Sequence, residues 1–409
     1  MVSLERVANN AAMKLGLLGI DGQMAGVVAA AVARGDEVVL ACDVPAGGSA
    51  TVPLSARVAP WESLMDARGS DAVLVGGEGW GEMRAEAVRK LVQAGRTLVL
   101  SQPLELSMLW AYELDMIRKD SGARLIPFLP DRLHPFTARL RREIEAGLGG
   151  GPLGTVETID MTRRLADRSR QNVLHHLARD ADLVRVLVGD PRRLSTLGGG
   201  GTDAVWATLA VGLTGPTAVP VRWQVARGDP AGLVITVVGS GGTSTVTIPD
   251  GQTSEWTLTT PTARETLPFD RGTAILSVLD AKAAVDSGVG PAAWDDAARA
   301  IELAETVPRS VAKGRAIDLH QEEFSELGTF KGTMASLGCG LVLAGLFVLL
   351  LATLVGGIAR EAGWGLGERI AGVWPVAVLI VLGLFLALQL LPLLIAPATR
   401  GRDEGPFRI

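Results

Sequence analysis

GLLGIDGQMAG, residues 16–26, has the outline of a phosphate-binding turn. In a Gly-x-Gly-x-x-Gly turn the first glycine makes the sharp bend. The second lets backbone approach a pyrophosphate, and the third lets helix pack on strand. Gly19 holds the first position, but Asp21 stands at the second and Met24 at the third. Asp21 brings a negative charge to the place where a pyrophosphate would rest, which costs affinity in a poorly hydrated turn. Gly22 keeps the turn flexible, and Gly26 relieves the crowding beside Met24. Asp43 ends the next apolar run, where a carboxylate would accept the hydroxyls of an adenosine ribose and so favour NAD over NADP. Gly19, Asp21, Gly22 and Asp43 are therefore the candidate cofactor-binding residues, with NAD the cofactor. The other reading is a plain strand–helix turn with a solvated acid at a strand end.

Further along, His175 and Arg179 are four residues apart, a spacing that shares one helix face. With Arg132 they would suit a carboxylated or phosphorylated ligand. Ordinary surface arginines fit that pattern equally well. His134, His175, His176 and His320 show no metal-ligand spacing, and Cys42 and Cys339 stand alone, so no metal is expected. The cysteine usage suits a reducing compartment.

These side chains need a frame. KLGLLGI (14–20), QMAGVVAAAVARG (23–35) and EVVLACD (37–43) read as strand, helix and strand. The rhythm repeats through DAVLVGG, GEMRAEAVRKLVQAG, RTLVLSQP, ELSMLWAYELDMIRKDSG and RLIPFL. Such alternation predicts a doubly wound parallel sheet. Beyond residue 130 come a helix in FTARLRREIEAG, a strand at 155–164 and a long helix over 172–189. Strands in DAVWATLAVGL, AVPVRWQVARG, GLVITVVGS, TSTVTIPD and SEWTLTTPTA follow, which predicts an α+β domain with a largely antiparallel open sheet. A helix over 293–314 is expected to be interrupted near its end by Pro308.

The C-terminus has a different character. Residues 332–359 and 370–399 contain no charged side chain, and each run is longer than a bilayer-spanning helix needs. They predict a two-helix transmembrane hairpin joined by REAGWGLGER, with spans near 334–358 and 372–396. Lys331, Arg400, Arg402 and Arg408 flank it, against Arg360 and Arg369 in the loop. That bias places both termini and the soluble domains in the cytoplasm, with the lipid of the inner membrane as partner. The predicted organisation is an extension over 1–12, a Rossmann-like domain over 13–130, an α+β domain over 131–327 and a membrane anchor over 328–409. A formal charge of −5 with no isolated Lys/Arg block argues against nucleic acid.

The order of these pieces resembles the Gfo/Idh/MocA oxidoreductases over roughly residues 13–320. DAVLVGGEGWGEMRAEAVRKLVQAGRTLVLSQPL is similar to the stretch leading to that family's Glu-Lys-Pro motif. DRLHPFTARLRREIEAGLGGGPLGTV resembles its Arg-x-x-Pro helix and Gly-x-Val strand, through Arg132, Pro135, Gly154 and Val156. HHLARDADLVRVLVGDP resembles its catalytic helix, and AARAIELAETVPRSVAKGRAIDL its closing helix. EEFSELGTFKGTMASLGCG is similar to a passage of membrane-bound members familiar from planctomycete-type bacteria. The resemblance implies NAD-dependent oxidation of a sugar or cyclitol. It also implies that Gln102 stands for the motif's lysine, and that His175, Arg179 and Asp182 stand on the catalytic helix, with Arg179 at the acid/base histidine. Glutamine cannot titrate, and arginine stays protonated. The implied catalytic set of Gln102, His175, Arg179 and Asp182 is thus degenerate. Three readings remain: a membrane-anchored oxidoreductase-fold protein with little or no activity, an active dehydrogenase, or a membrane-associated binding or structural protein. The ligand would be a small polyol or an anionic sugar. The resemblance also implies a homo-oligomer through the second domain's sheet.

Overall fold

The computed structural model describes residues 12–44, 53, 55–147, 151–197, 204–217, 219–280 and 289–319, with isolated positions between 347 and 363. The first sheet is built from short apolar runs closed by glycine or an acid. Its elements are β1 (Lys14–Leu18), α1 (Gly22–Arg34), β2 (Glu37–Cys42), β3 (Arg57–Val58), β4 (Ala72–Val75), α2 (Glu82–Gln93), β5 (Thr97–Leu100), α3 (Met108–Ser121) and β6 (Arg124–Pro127). The strands run in the order β3-β2-β1-β4-β5-β6 with every pair parallel. That is the doubly wound arrangement. Because both faces are covered, alternate residues of one strand enter different cores. Ala72 and Leu74 pack on the side of Met24, Val27 and Val28 of α1, while Val73 and Val75 pack with Val88 and Leu91 of α2 and Leu114 of α3.

A mixed sheet of nine strands follows. Its elements are α4 (Pro135–Gly147), β7 (Val156–Leu165), α5 (Arg170–Val188), β8 (Arg193–Leu197), α6 (Ala204–Ala207), β9 (Ala210–Thr214), β10 (Val221–Arg227), β11 (Gly232–Gly239), β12 (Gly242–Pro249), β13 (Thr253–Thr259), β14 (Arg264–Asp270), α7 (Arg271–Leu279), α8 (Trp294–Lys313) and β15 (Ile317–Asp318). The order is β14-β13-β12-β11-β7-β10-β9-β8-β15, and only β7 with β10 is parallel. The buried face carries Ile159, Met161, Trp223, Ile235 and Trp256 against Leu177, Val184 and Leu187 of α5.

Two helices return to the first sheet. Ile275, Leu276, Val278 and Leu279 of α7 join the core under α1, and Trp294, Ala297, Ala298 and Ile301 of α8 join the core on the opposite face. A Cβ on Gly272 would come within 3.0 Å of the side chain of Ala30 and would also press on the carbonyl of Gly26, so α1 and α7 meet across glycine.

Two expectations differ. DAVWATLAVGL contains a short helix before its strand rather than one continuous strand. Pro308 does not interrupt α8, which runs on to Lys313. The buried stripe Ala297, Ala300, Ile301, Ala304 and Val307 spans both cores, and that packing outweighs one missing backbone bond. Among the described residues no helix is long and apolar enough to cross a membrane. The spans expected near 334–358 and 372–396 lie outside the described residues, apart from isolated helical positions such as Phe347, Leu350, Leu354 and Ile358, which are exposed.

Candidate functional site

The sheet order reverses between β1 and β4, and an open α/β sheet takes its ligand in the crevice beyond the carboxyl ends of such strands. Gly19 leaves β1 at a φ of 65°, in the left-handed region that favours glycine, and its N–H donates to the Cys42 carbonyl at 2.9 Å. Gly76 leaves β4, where an added Cβ would stand 2.5 Å from the carbonyl carbon of Ile20. The two turns therefore meet backbone to backbone.

Asp21 is the N-cap of α1. Its Oδ1 accepts the Met24 N–H at 2.9 Å, and its Oδ2 accepts the Gly77 N–H at 2.6 Å. Met24 is fully buried in the core rather than left at a surface turn. Gly22 faces open space, and its carbonyl accepts from the side chain of Gln252 in the β12–β13 turn. Asp43 has a φ of 52° and faces Arg84 from the first turn of α2. Arg84 is 4% exposed. Its Nε and Nη2 contact the Asp43 carboxylate at 2.8 and 2.7 Å, and its Nη1 donates to the carbonyls of Gly76 at 2.8 Å and Glu78 at 2.6 Å. Burial and the nearby carboxylates of Glu62 and Asp43 push the adjacent Cys42 thiol up to about 11, so it stays protonated.

Gln102 follows β5 in a buried loop with a cis bond to Pro103. Gln23 of α1 brackets its backbone, accepting from the Gln102 N–H and donating to its carbonyl, both at 2.9 Å. The Gln102 side-chain amide donates to the Ala297 carbonyl of α8 at 3.3 Å. The group is committed to a helix and has no titratable proton to exchange.

His175, Arg179 and Asp182 lie three and four residues apart along α5, beside the turn at Pro130–Leu133. Asp182 is buried and faces Arg132 at 3.4 Å. Burial pushes its carboxyl up to about 6. Arg132 is held more closely by Asp296 at 2.7 Å, and Asp296 also pairs with Arg185 at 2.9 Å. Asp182 and Arg132 thus belong to a buried charge network joining α5 to α8. Arg132 is paired with carboxylates of α5 and α8, whereas the sequence grouped it with His175 and Arg179.

Sequence reasoning missed a second cluster. Arg163 of β7 grips Asp180 of α5 through both Nε and Nη2, with the Nε bond at 2.9 Å, and reaches Asp250 at 2.7 Å. The Trp223 indole donates to the same Asp180 at 2.8 Å. Arg271 pairs with Asp131 at 2.6 Å. Half-buried Arg179 feels Arg163, Asp131, Asp250 and Asp180, and burial followed by Arg163 lowers its affinity for a proton. Among the described residues Arg179 has no carboxylate at ion-pair distance. Burial, followed by the charge of Arg179, lowers the pKa of His175. Burial, followed by Arg163 and Arg179, pushes His176 down to about 2. Both imidazoles are neutral at pH 7.

The structure thus brings Gly19, Asp21 and Asp43 together at one crevice and sets His175 beside Arg179. Gln102 is tied to α8, and Asp182 to Arg132. Arg84, Gln23, Gln252 and Arg163 went unread. The paired glycines Gly76-Gly77, which mark a close backbone approach, were the one local signal at the crevice.

No family model and no curated protein matches the sequence. Solved structures do match in fold. A myo-inositol dehydrogenase from Corynebacterium glutamicum shows 16% identity and a TM-score of 0.56, covering 76% of this chain and 99% of that one. An oxidoreductase from Agrobacterium radiobacter, in complex with NAD+, L-tartaric acid and magnesium, shows 14% identity and a TM-score of 0.57, covering 75% and 98%. An aldose-aldose oxidoreductase from Caulobacter crescentus complexed with glycerol shows 13% identity and a TM-score of 0.58, covering 76% and 100%. At these identities the likeness establishes the fold, a Rossmann-like sheet joined to a mostly antiparallel one.

Proposed function

We propose that this chain is an oxidoreductase-fold protein that binds a small anionic polyol or sugar acid without oxidising it, and that its C-terminal segments anchor it in the inner membrane. One observation carries the first part. Both positions that would handle the hydroxyl proton hold groups poorly suited to it, a buried Gln102 amide bonded to α8 and the guanidinium of Arg179. Hydride transfer needs that proton to leave, so the reaction has no route through these residues. NAD enters this reading only through the Agrobacterium radiobacter oxidoreductase, whose structure holds NAD+.

The ligand class follows from Arg179. Its planar guanidinium suits a carboxylate, and His175, neutral and on the same helix face, can hydrogen-bond hydroxyls. The surrounding cluster balances Arg163, Arg179 and Arg271 against Asp131, Asp180 and Asp250, so no net charge repels an incoming monoanion. The exposed apolar positions Phe347, Leu350, Leu351, Leu354, Val355 and Ile358 support the membrane reading, and the Lys/Arg bias around the spans supports cytoplasmic termini. Half-exposed Val234 and Val238 on the outer face of β11 support a second copy of the chain there.

The test uses full-length protein in a mild detergent. D-gluconate should raise the Tm and myo-inositol should not, and Arg179→Ala should abolish the gluconate effect while keeping the fold. No NADH should form from either compound with NAD. Polyol oxidation by the wild type that Arg179→Ala abolishes would overturn the proposal. Release of the chain from membranes by alkaline carbonate would overturn the anchoring.

A further inference from the structure

We infer that the dinucleotide cradle of this fold is filled by the chain's own charged side chains, so that it takes no dinucleotide. A bound dinucleotide would ask three things of the crevice. Its pyrophosphate needs free N–H groups at the start of α1, its adenosine ribose needs the free carboxylate at the end of β2, and its backbone-hugging path needs the space beside Gly19.

Each is already engaged, in whole or in part, by the chain itself. The Asp21 carboxylate spans the two loops of the crevice, with one oxygen on the Met24 N–H at 2.9 Å and the other on the Gly77 N–H at 2.6 Å. A full negative charge thus sits on the helix N-terminus, and a second anion beside it would be repelled. One oxygen of the Asp43 carboxylate, Oδ2, is held by Arg84 at 2.7 and 2.8 Å, which neutralises the charge a ribose would meet. A Cβ built on Gly19 would lie 2.5 Å from Arg84 Cζ, so the guanidinium occupies the space that this glycine leaves open. The donors of Arg84 are fully used, by the Asp43 carboxylate, the Asp43 carbonyl at 3.3 Å and the carbonyls of Gly76 and Glu78. Displacing it would strand a buried cation and several buried acceptors. From the second sheet, Gln252 closes on the Gly22 carbonyl.

Asp21 and Arg84 therefore act as internal stand-ins for pyrophosphate and ribose. They knit β1, β2, β4 and α1 together as a bound cofactor would. This goes beyond the loss of oxidation, since a chain unable to move the proton could still hold NAD.

The experiment is calorimetric titration of the full-length protein with NAD and, separately, NADP up to millimolar concentration, with Tm read alongside. The wild type should show no saturable heat and no rise in Tm. Asp21→Gly combined with Arg84→Ala should gain saturable NAD binding, a change of tenfold or more in affinity. Arg84→Gln, which keeps a neutral polar side chain on α2, should gain weaker binding and serves if the double variant does not fold. Wild-type binding of either nucleotide below millimolar Kd would overturn the inference. So would a folded double variant, or a folded Arg84→Gln protein, that remains blind to both. Wild-type binding without turnover would leave the proposed loss of oxidation intact.

Discussion

Acid should destabilise this protein through its buried neutral histidines, and His134 gives the cleanest measure. The ring is fully buried, stacked on Trp256 at 4.0 Å with Phe136 and Phe269 at 4.9 and 5.0 Å. Its Nδ1 accepts the Phe136 N–H at 3.0 Å. Burial is the largest influence, and it pushes the imidazole down from 6.5 to about 4. A depressed folded-state pKa means that the stability is present above pH 6.5 and is lost as pH falls towards 4. A shift of that size corresponds to about 3 kcal/mol, or about 1.4 kcal/mol per pH unit inside the window. His134→Phe keeps the aromatic packing but removes the titrating group and the acceptor for the Phe136 N–H. It should therefore lower stability at pH 7.5 by about 1–3 kcal/mol. Its slope of unfolding free energy against pH between 4.5 and 6 should be shallower than the wild type's by about 1.4 kcal/mol per unit. Urea unfolding of the full-length protein at several pH values, followed by tryptophan fluorescence, gives both numbers. Parallel pH curves for the two proteins would refute the argument.

Asp182 works in the opposite direction. Its raised pKa means stability present below 3.8 and lost as pH rises through about 6, so Asp182→Asn should be more stable than wild type at pH 8, with the gap closing below pH 4 in the same urea series. Asp180→Asn breaks the buried grip on Arg163 and should cost about 3–5 kcal/mol; a loss under about 1 kcal/mol would show that the pair is not an effective one. Gly76→Ala forces a methyl into the Ile20 backbone and should cost about 1–3 kcal/mol, whereas Gly22→Ala meets nothing within 4 Å and should change the Tm little.

Much of the first sheet was legible because a parallel strand covered on both faces must be a short continuous apolar run, as in AVLV at 72–75 and TLVL at 97–100. The second sheet was legible where one face is polar, as in the alternating burial of β7. α7 was not read, because RGTAILSVL is short and gains its core only by reaching α1 across more than 200 residues. The site was legible in part for the same reason. Asp21 and Asp43 belong to a local pattern. The partner that gives Asp43 its role, Arg84, looks in sequence like one more polar position on an amphipathic helix, and Gln252 and Ala297 reach the crevice only through the folded chain. Gln102 was identified as a replacement, yet its commitment to α8 is a tertiary fact.

The return of α7 and α8 to the first sheet also has a consequence during synthesis. When residue 128 leaves the ribosome, all six strands of that sheet exist, yet each of its faces still lacks one of the helices that cover it. The residues that complete them come after 270. At about 5–20 residues per second, the nascent chain waits roughly 10–30 s with Leu15, Leu17, Val73 and Leu98 incompletely sheltered. The first half therefore cannot finish folding while the second is unmade, and a chain stalled between these points is the form that chaperones must hold.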